Sequence, residues 1–327
     1  MSQSLTDIKH RISSVNNTEQ ITKAMRMVSA AKMNQVQRHY TQYEIYDTKL
    51  REILKKVASS EFFRYLTCSK ESDPEAFQNI YYDLTEESIV NSFIESRQSD
   101  YQEKKHQKAA YLVITGDRGL VGSYNSSILK SALSLLRQAH KKGEDPMLFC
   151  VGSVGIDFFH RRNIKIDLEI MNLSDNPRFG EVKKIISKTV DLFQKGLYDH
   201  LLICYNHFVN SLTSTFRVEQ ILPISELEIF DEVGESQKVE PLVDLKTFPD
   251  PMTVLDTVLP QYAENLIYGA ILDAKLAEHS ASTMAMKSAT DNADDLINRM
   301  SIEYNRARQG AITTEINEIV GGASALE

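Results

Sequence analysis

The sequence predicts an α/β protein with a long helix at each terminus and a folded α/β domain between them. Three observations carry this. All 8 prolines lie between Pro74 and Pro260. No glycine precedes Gly116, and only Gly269, Gly310, Gly321 and Gly322 follow Pro260. Proline deletes a backbone donor and clashes inside a helix, and glycine weakens one by about 1 kcal/mol, so the termini lack the residues that would end a helix. The middle, in contrast, alternates strand-like and helix-like runs. The expected division is a first helix over 1–60, a polar surface insertion over 61–108, a central α/β domain over 109–249 and a last helix over 250–327.

In the first helix, Ser4 and Asp7 resemble a capping box, and Leu5, Ile8, Ile12 and Val15 follow at helical spacing. The seam returns at Val36, Tyr40, Tyr43, Leu50, Leu54 and Val57, with Asp47 out of character. Between these stretches the in-phase positions are polar (Glu19, Thr22, Arg26, Ser29), and the apolar stripe shifts to Ile21, Met25 and Val28. Either this is a coiled coil whose midsection faces something besides its partner helix, or it is two-helix packing with a local stutter.

Residues 61–108 are polar, with short helices expected around 74–81 and 86–97. Candidate strands then run over Ala110–Thr115, Pro146–Val151, Ile164–Ile170, His200–Tyr205 and Thr215–Pro223. Candidate helices between them cover Ser126–His140, Ser153–Arg162 and Gly180–Lys195. That alternation argues for a mostly parallel, layered sheet.

The last helix starts at Asp250-Pro251, an N-cap followed by proline in the first turn, and Pro260 is expected to kink it. Its seam reads Leu255, Leu259, Tyr262, Leu266, then Ala289, Ala293, Leu296, Met300 and Ala307. At 1.5 Å per residue the first helix runs about 80 Å and the last roughly 100 Å. A middle domain of this size has a radius of gyration of about 16 Å. If the two helices leave the domain together, the last overhangs the first from about Arg308 to Gly322, with Ile312, Ile316, Ile319 and Val320 on one side. A partly apolar helix tip calls for a partner to cover it.

Composition narrows the function. The net charge is −8, yet residues 1–60 carry mostly cations, and the acids outnumber them after Met252. The two helices are therefore mutually complementary, or part of the basic face meets an acidic partner. An acidic chain without a base-reading motif argues against nucleic acid. Three cysteines without close spacing (Cys68, Cys150, Cys204) suit a reducing compartment, and no apolar run is long enough to span a membrane. The histidines show no metal spacing, Asp291, Asp294 and Asp295 suit an exposed helix face, and no nucleophile-base pairing emerges. No catalytic site, cofactor or metal is expected.

Gly116-Asp117-Arg118-Gly119-Leu120-Val121-Gly122 sits between a strand and a helix, where nucleotide-binding loops are found. Its spacing matches neither phosphate-loop pattern. The stronger reading is a structural turn with Asp117 and Arg118 as polar ties, and Gly152–Gly155 reads as another helix start. A nucleotide-binding enzyme using the central domain stays as the alternative function.

Four stretches resemble the F-type ATP synthase gamma subunit family. These are Ile21-Thr22-Lys23-Ala24-Met25 with Ala31-Lys32-Met33, Thr115–Leu120, Met286–Ala293, and Tyr304–Gln309 with Ile312–Ala323. The resemblance covers nearly the whole chain. It implies a long antiparallel, left-handed two-helix coiled coil plus a central Rossmann-like α/β domain. It also implies the central-stalk rotor that couples ion-driven c-ring rotation to ATP chemistry at the beta subunits, without catalysis of its own. The implied partners are the alpha and beta subunits, the epsilon subunit and the c-ring, with peripheral attachment to the cytoplasmic face of a bacterial membrane. By the same resemblance, Met25, Lys287, Arg308, Gln309, Thr313, Glu315, Ile316, Ile319 and Val320 meet the ring. For Met25 the alternative is coiled-coil core, and for Lys287 and Arg308 a solvated or intrahelical pair. This chain departs from the family pattern at Ser282-Thr283, where an Arg-Met pair is usual, and in the length of 61–108. It also lacks the mid-domain cysteine pair of chloroplast members.

Overall fold

The structure, a computed structural model, describes residues 5–58, 108–222 and 251–324. The expected insertion over 61–108, apart from Lys108, lies outside them, as do the caps at Ser4 and Asp250, Cys68 and Pro223.

Helix α1 spans Leu5–Ala58 and helix α5 spans Pro251–Ser324, 54 and 74 residues, or about 80 Å and 110 Å. α5 continues through Pro260, Gly269 and Gly310. Between the two lie β1 (Ala109–Ile114), α2 (Tyr124–Lys141), β2 (Met147–Val151), α3 (Ser153–His160), β3 (Leu168–Ile170), α4 (Phe179–Gln194), β4 (His200–Asn210) and β5 (Thr213–Leu222). They form one sheet in the order β3-β2-β1-β4-β5, parallel except for the β4/β5 pair.

Period-two alternation sorts the strand residues to two faces. Ala110, Leu112, Ile114, Phe149, Leu201 and Ile203 face α4 and α5. Val113, Leu148, Cys150 and Cys204 face α2 and α3. This double cover explains the near-continuous apolar reading of the central strands.

β3 is shorter than its expected run. Ile164 and Ile166 turn half-buried against the α2/α3 side. The strand forms only after Asp167 has bonded Leu148 through both its own N–H (2.8 Å) and its carboxylate (3.1 Å). β4 is longer than expected, because Asn206–Asn210 continue the antiparallel ladder with β5. Its turn is closed by the Asn210 side chain, which accepts from the N–H groups of Leu212 and Thr213.

From Tyr262 to Ser280, α5 is buried almost all round, with exceptions only at half-buried Glu264, Leu266 and Tyr268. One side packs on the sheet through Ala263, Ile267, Ala270, Ile271 and Ala274. The other meets α1 through Leu272 and Leu276, with Val36 between them. A helix covered on every side must be apolar or small nearly throughout, and from Gly269 to Ala277 every residue is so except Asp273 and Lys275.

Candidate functional site

The candidate functional feature is the α1/α5 shaft, and its register follows from four contacts. Tyr43 packs on Gly269, where any Cβ would strike the tyrosine ring. The Thr22 and Thr290 hydroxyls are 2.9 Å apart, as are those of Ser29 and Ser282, and Asn265 Nδ2 donates to Asp47 at 2.8 Å. The residue numbers of every pair add to 311 or 312. The helices are therefore antiparallel and unslipped over this length.

Asp47, the odd member of the α1 seam, is buried and satisfied, since it also accepts from Arg51 Nε at 2.7 Å. In the midsection two of the in-phase polar positions point inward, Glu19 and Arg26 are half-buried, and of the shifted apolar stripe Ile21 and Val28 point outward while Met25 is half-buried. Thr22 and Ser29 are buried against α5, whereas Ile21, Met27 and Val28 are more than half exposed. This favours a midsection built to face a second partner over a simple stutter. Ser282, at the departure from the family pattern, is the residue that bonds Ser29.

The register places Ala307 level with Leu5, the first described residue of α1. Ala307 is half-buried, and every residue from Arg308 through Val320 is exposed. Ile312, Ile316, Ile319 and Val320 are 48–66% exposed and share one helix face. The overhang begins where the sequence places it.

The same register sets Met25 level with Lys287. Met25 is half-buried and Lys287 exposed, with no ion pair for Lys287 among the described residues. The candidate contact residues therefore fall into two groups. Met25 and Lys287 form a collar. Arg308, Gln309, Thr313, Glu315, Ile316, Ile319 and Val320 form a tip about 30 Å farther along. Thr313 Oγ1 donates to the Gln309 carbonyl at 2.9 Å.

At the other end, the domain grips α5 through a polar network that sequence reasoning missed. Asp273 accepts from the Phe208 N–H at 2.9 Å and pairs with His207 Nδ1 at 2.6 Å. Lys275 and Glu278 form a buried pair at 3.0 Å, and the Glu278 carboxylate lies where a Cβ on Gly116 would sit. Tyr124 donates to the Ala274 carbonyl, and Ser280 to that of Ser211. On the far side, Asp175 binds Lys32 of α1 at 2.6 Å, and its carbonyl meets His279 Nε2 at 2.9 Å. Partial burial pushes the Asp175 carboxyl up. The hydrogen bond and charge of Lys32, helped by His279 and Lys275, outweigh that and hold it below its ordinary 3.8. The available signal was a set of charges, Asp273, Lys275, Glu278 and His279, interrupting an otherwise apolar helix run.

Charge complementarity between the helices is not what these ion pairs show. Lys23, Lys49 and Arg51 pair with acids of α1 itself, and Lys32 with Asp175. Asp291, Asp294 and Asp295 lie on an exposed face of α5.

The Gly116–Gly122 loop is a structural turn. Asp117 Oδ1 accepts from Ser153 N and Oγ, both at 2.9 Å, and from Asn172 N. The Gly116 amide donates to Asn125 Oδ1. Arg118 corrects the expectation: its side chain is exposed, and only its carbonyl takes part, accepting from Asn125 Nδ2. Among the described residues no cluster of His, Cys, Asp and Glu is arranged to hold a metal, and no helix is long and apolar enough to cross a membrane.

A family model described as ATP synthase matches residues 4–326. The ATP synthase gamma chain of Lacticaseibacillus casei (strain BL23) is 48% identical over 327 residues, covering 100% of both chains. That of Enterococcus faecalis (strain ATCC 700802 / V583) is 43% identical with the same coverage. Among solved structures, the rotor of the Euglena gracilis mitochondrial ATP synthase superposes with a TM-score of 0.57 at 18% identity, covering 94% of this chain and 98% of that one. The central stalk/c-ring of the Tetrahymena thermophila mitochondrial enzyme gives 0.54 at 22% identity, covering 82% and 99%.

Proposed function

The chain belongs to the ATP synthase gamma-chain family, and from that premise we propose that it is the central-stalk rotor, coupling c-ring rotation to ATP synthesis and hydrolysis at the beta subunits. The observation that carries the reading is the α5 overhang, a run of continuously exposed helix from Arg308 to Val320 with four aliphatic residues on one face. An apolar face of that size favours a covering sleeve. Here the sleeve is the ring of alpha and beta subunits.

An asymmetric shaft touches each surrounding site differently, so its angle biases the conformation each one adopts. That is a population shift driven by differential contacts. Aliphatic contacts suit a turning tip because they are non-directional. Met25 and Lys287 form a second contact level, the collar. Arg308, Gln309, Thr313 and Glu315 add polar contacts at the tip. The chain itself carries out no catalysis and holds no nucleotide at Gly116–Gly122. Its domain meets the epsilon subunit and the c-ring, which makes it a peripheral component on the cytoplasmic side of the membrane.

The bonds of Asp273 to His207 and Phe208, of Tyr124 to the Ala274 carbonyl and of Ser280 to the Ser211 carbonyl suit torque transfer, since they fix α5 to the sheet domain directionally. The test is co-purification of the tagged full chain from its own cells. Alpha, beta, epsilon and c subunits are expected to come with it. A chain recovered free of alpha and beta subunits from intact membranes would sink the proposal.

A further inference from the structure

We propose that the cleft between α1, α5 and the first turns of α4 binds a nucleoside phosphate, with its ring against an aromatic wall and its phosphates on Arg178 and Lys183. The cleft encloses about 720 Å³, within the range of small-molecule sites. It is separate from the tip, the collar and the Gly116–Gly122 loop.

The wall is built around Tyr268. Its ring lies edge-on to Tyr43 (6.1 Å between centroids, 77°) and to Phe179 (5.4 Å, 86°). Its hydroxyl donates to the Pro177 carbonyl at 3.1 Å, which satisfies the polar end and fixes the ring. Tyr46 and Phe179 are left 53% and 37% exposed where they line the cleft. Aromatic faces of this kind stack the flat rings of nucleobases.

The charged side of the cleft suits an anion. Arg178 and Lys183 are exposed, line the cleft and make no ion pair among the described residues. They flank the start of α4, whose dipole favours negative charge, while the Glu181 and Val182 N–H groups are taken up by the Arg178 carbonyl. His39 of α1 also lines the cleft and adds an imidazole ring. Two carboxylates stand nearby, Glu264 in the lining itself; Glu181 accepts from the Ser174 N–H and Glu264 from Ser187 Oγ, each at 3.2 Å, so neither is paired with Arg178 or Lys183. An acidic peptide could satisfy the cations, yet its carboxylates would leave the aromatic wall unfilled. A flat ring joined to phosphates fills both.

The test uses the full-length chain and the N-methylanthraniloyl derivative of ATP, followed by fluorescence anisotropy. Saturable binding with a Kd below about 1 mM is expected. Arg178→Gln with Lys183→Gln, and separately Tyr46→Ser with Phe179→Ala, should each raise Kd at least about tenfold. Inorganic pyrophosphate should compete at least about tenfold less well than ATP. An unchanged melting temperature shows that the variants fold. The proposal falls if binding does not saturate, if either double variant binds like the parent, or if pyrophosphate competes as well as ATP. Co-purification of ring subunits is unaffected by any of these results, so the rotor reading stands or falls separately.

Discussion

The hydroxyls of Thr22 and Thr290 meet at 2.9 Å across the shaft, at a height where two-helix packing would normally set apolar side chains. Each threonine also has a carbonyl of its own helix in reach, Glu19 for Thr22 and Met286 for Thr290. A hydroxyl donates only once, so one bonds across the shaft while the other bonds back. The midsection is held by modest polar contacts, and its aliphatic residues, Ile21 and Val28, point outward. A shaft that keeps its grease on the outside is suited to contact with surrounding subunits.

Replacing both threonines by valine is therefore expected to leave stability unchanged or raise it slightly. Net hydrogen-bond contributions are about 1 kcal/mol, and replacing both partners with groups of the same shape is nearly neutral. Urea denaturation of the full chain checks this. A loss of several kcal/mol would mean that the hydroxyl pair is essential to helix pairing.

Lys275 and Glu278 behave differently, because both are buried. Glu278→Gln leaves an uncompensated buried ammonium and is expected to cost about 3–5 kcal/mol. Lys275→Met with Glu278→Leu removes both charges and should recover most of that loss. A double variant as unstable as the single one would show that Glu278 matters for its contact with Gly116 rather than for its charge.

Much of this molecule was legible in its sequence, and the exceptions have physical causes. The two long helices followed from where glycine and proline are scarce, although α5 runs on through Pro260, Gly269 and Gly310, and the overhang from Arg308 followed from the two helix lengths. Strand positions followed from short apolar runs, except where Ile164 and Ile166 imitated a strand while packing beneath one. The grip on α5 was not legible. His207, Asp273, Gly116 and Glu278 are distant in sequence and become partners only when the sheet brings them together. Nor could periodicity show that the span from Tyr262 to Ser280 serves at once as shaft and as domain core.

Asp175 ties α1 to the domain through Lys32, and its contribution should depend on acid. A carboxylate held below its unfolded value adds stability that is present above that value and lost as pH falls through the folded one. The stability difference between the parent and Asp175→Asn should be constant above about pH 5 and fade below about pH 3. Its size should be small, since the Asp175 side chain is 44% exposed and the pair is screened. Denaturant midpoints measured across pH 2–7 test this; a difference that grows on acidification would contradict it.

Cys150 and Cys204 lie on β2 and β4, fully buried, and burial pushes both thiols up to about 12. A thiol reacts as its thiolate, so neither should be alkylated by iodoacetamide at pH 8 in the native chain. Both should react once urea unfolds it. Peptide mass mapping before and after denaturation gives the answer directly.

Ending the chain at Gln309 removes only residues beyond the level of α1. None of those from Gly310 to Val320 is buried, so the melting temperature should shift by no more than about 2 °C. Assembly with the ring, or ATP-driven proton pumping, should fall several-fold. Unfolding of the sheet domain in this variant would contradict the layout of the shaft.

Met25→Lys separates the two roles open to the collar. A core methionine in a coiled coil would cost about 2–5 kcal/mol on losing its packing, with more for a buried charge. Met25 is only half-buried, and a lysine there can extend its ammonium into solvent. The stability cost is therefore expected to stay near 1 kcal/mol. The new cation would stand level with Lys287, adding positive charge to the surface proposed to meet the ring. Proton pumping per ATP hydrolysed should drop far more than the melting temperature does. A large loss of stability with normal pumping would instead assign Met25 to the shaft's own packing and leave Lys287 as the collar's contact.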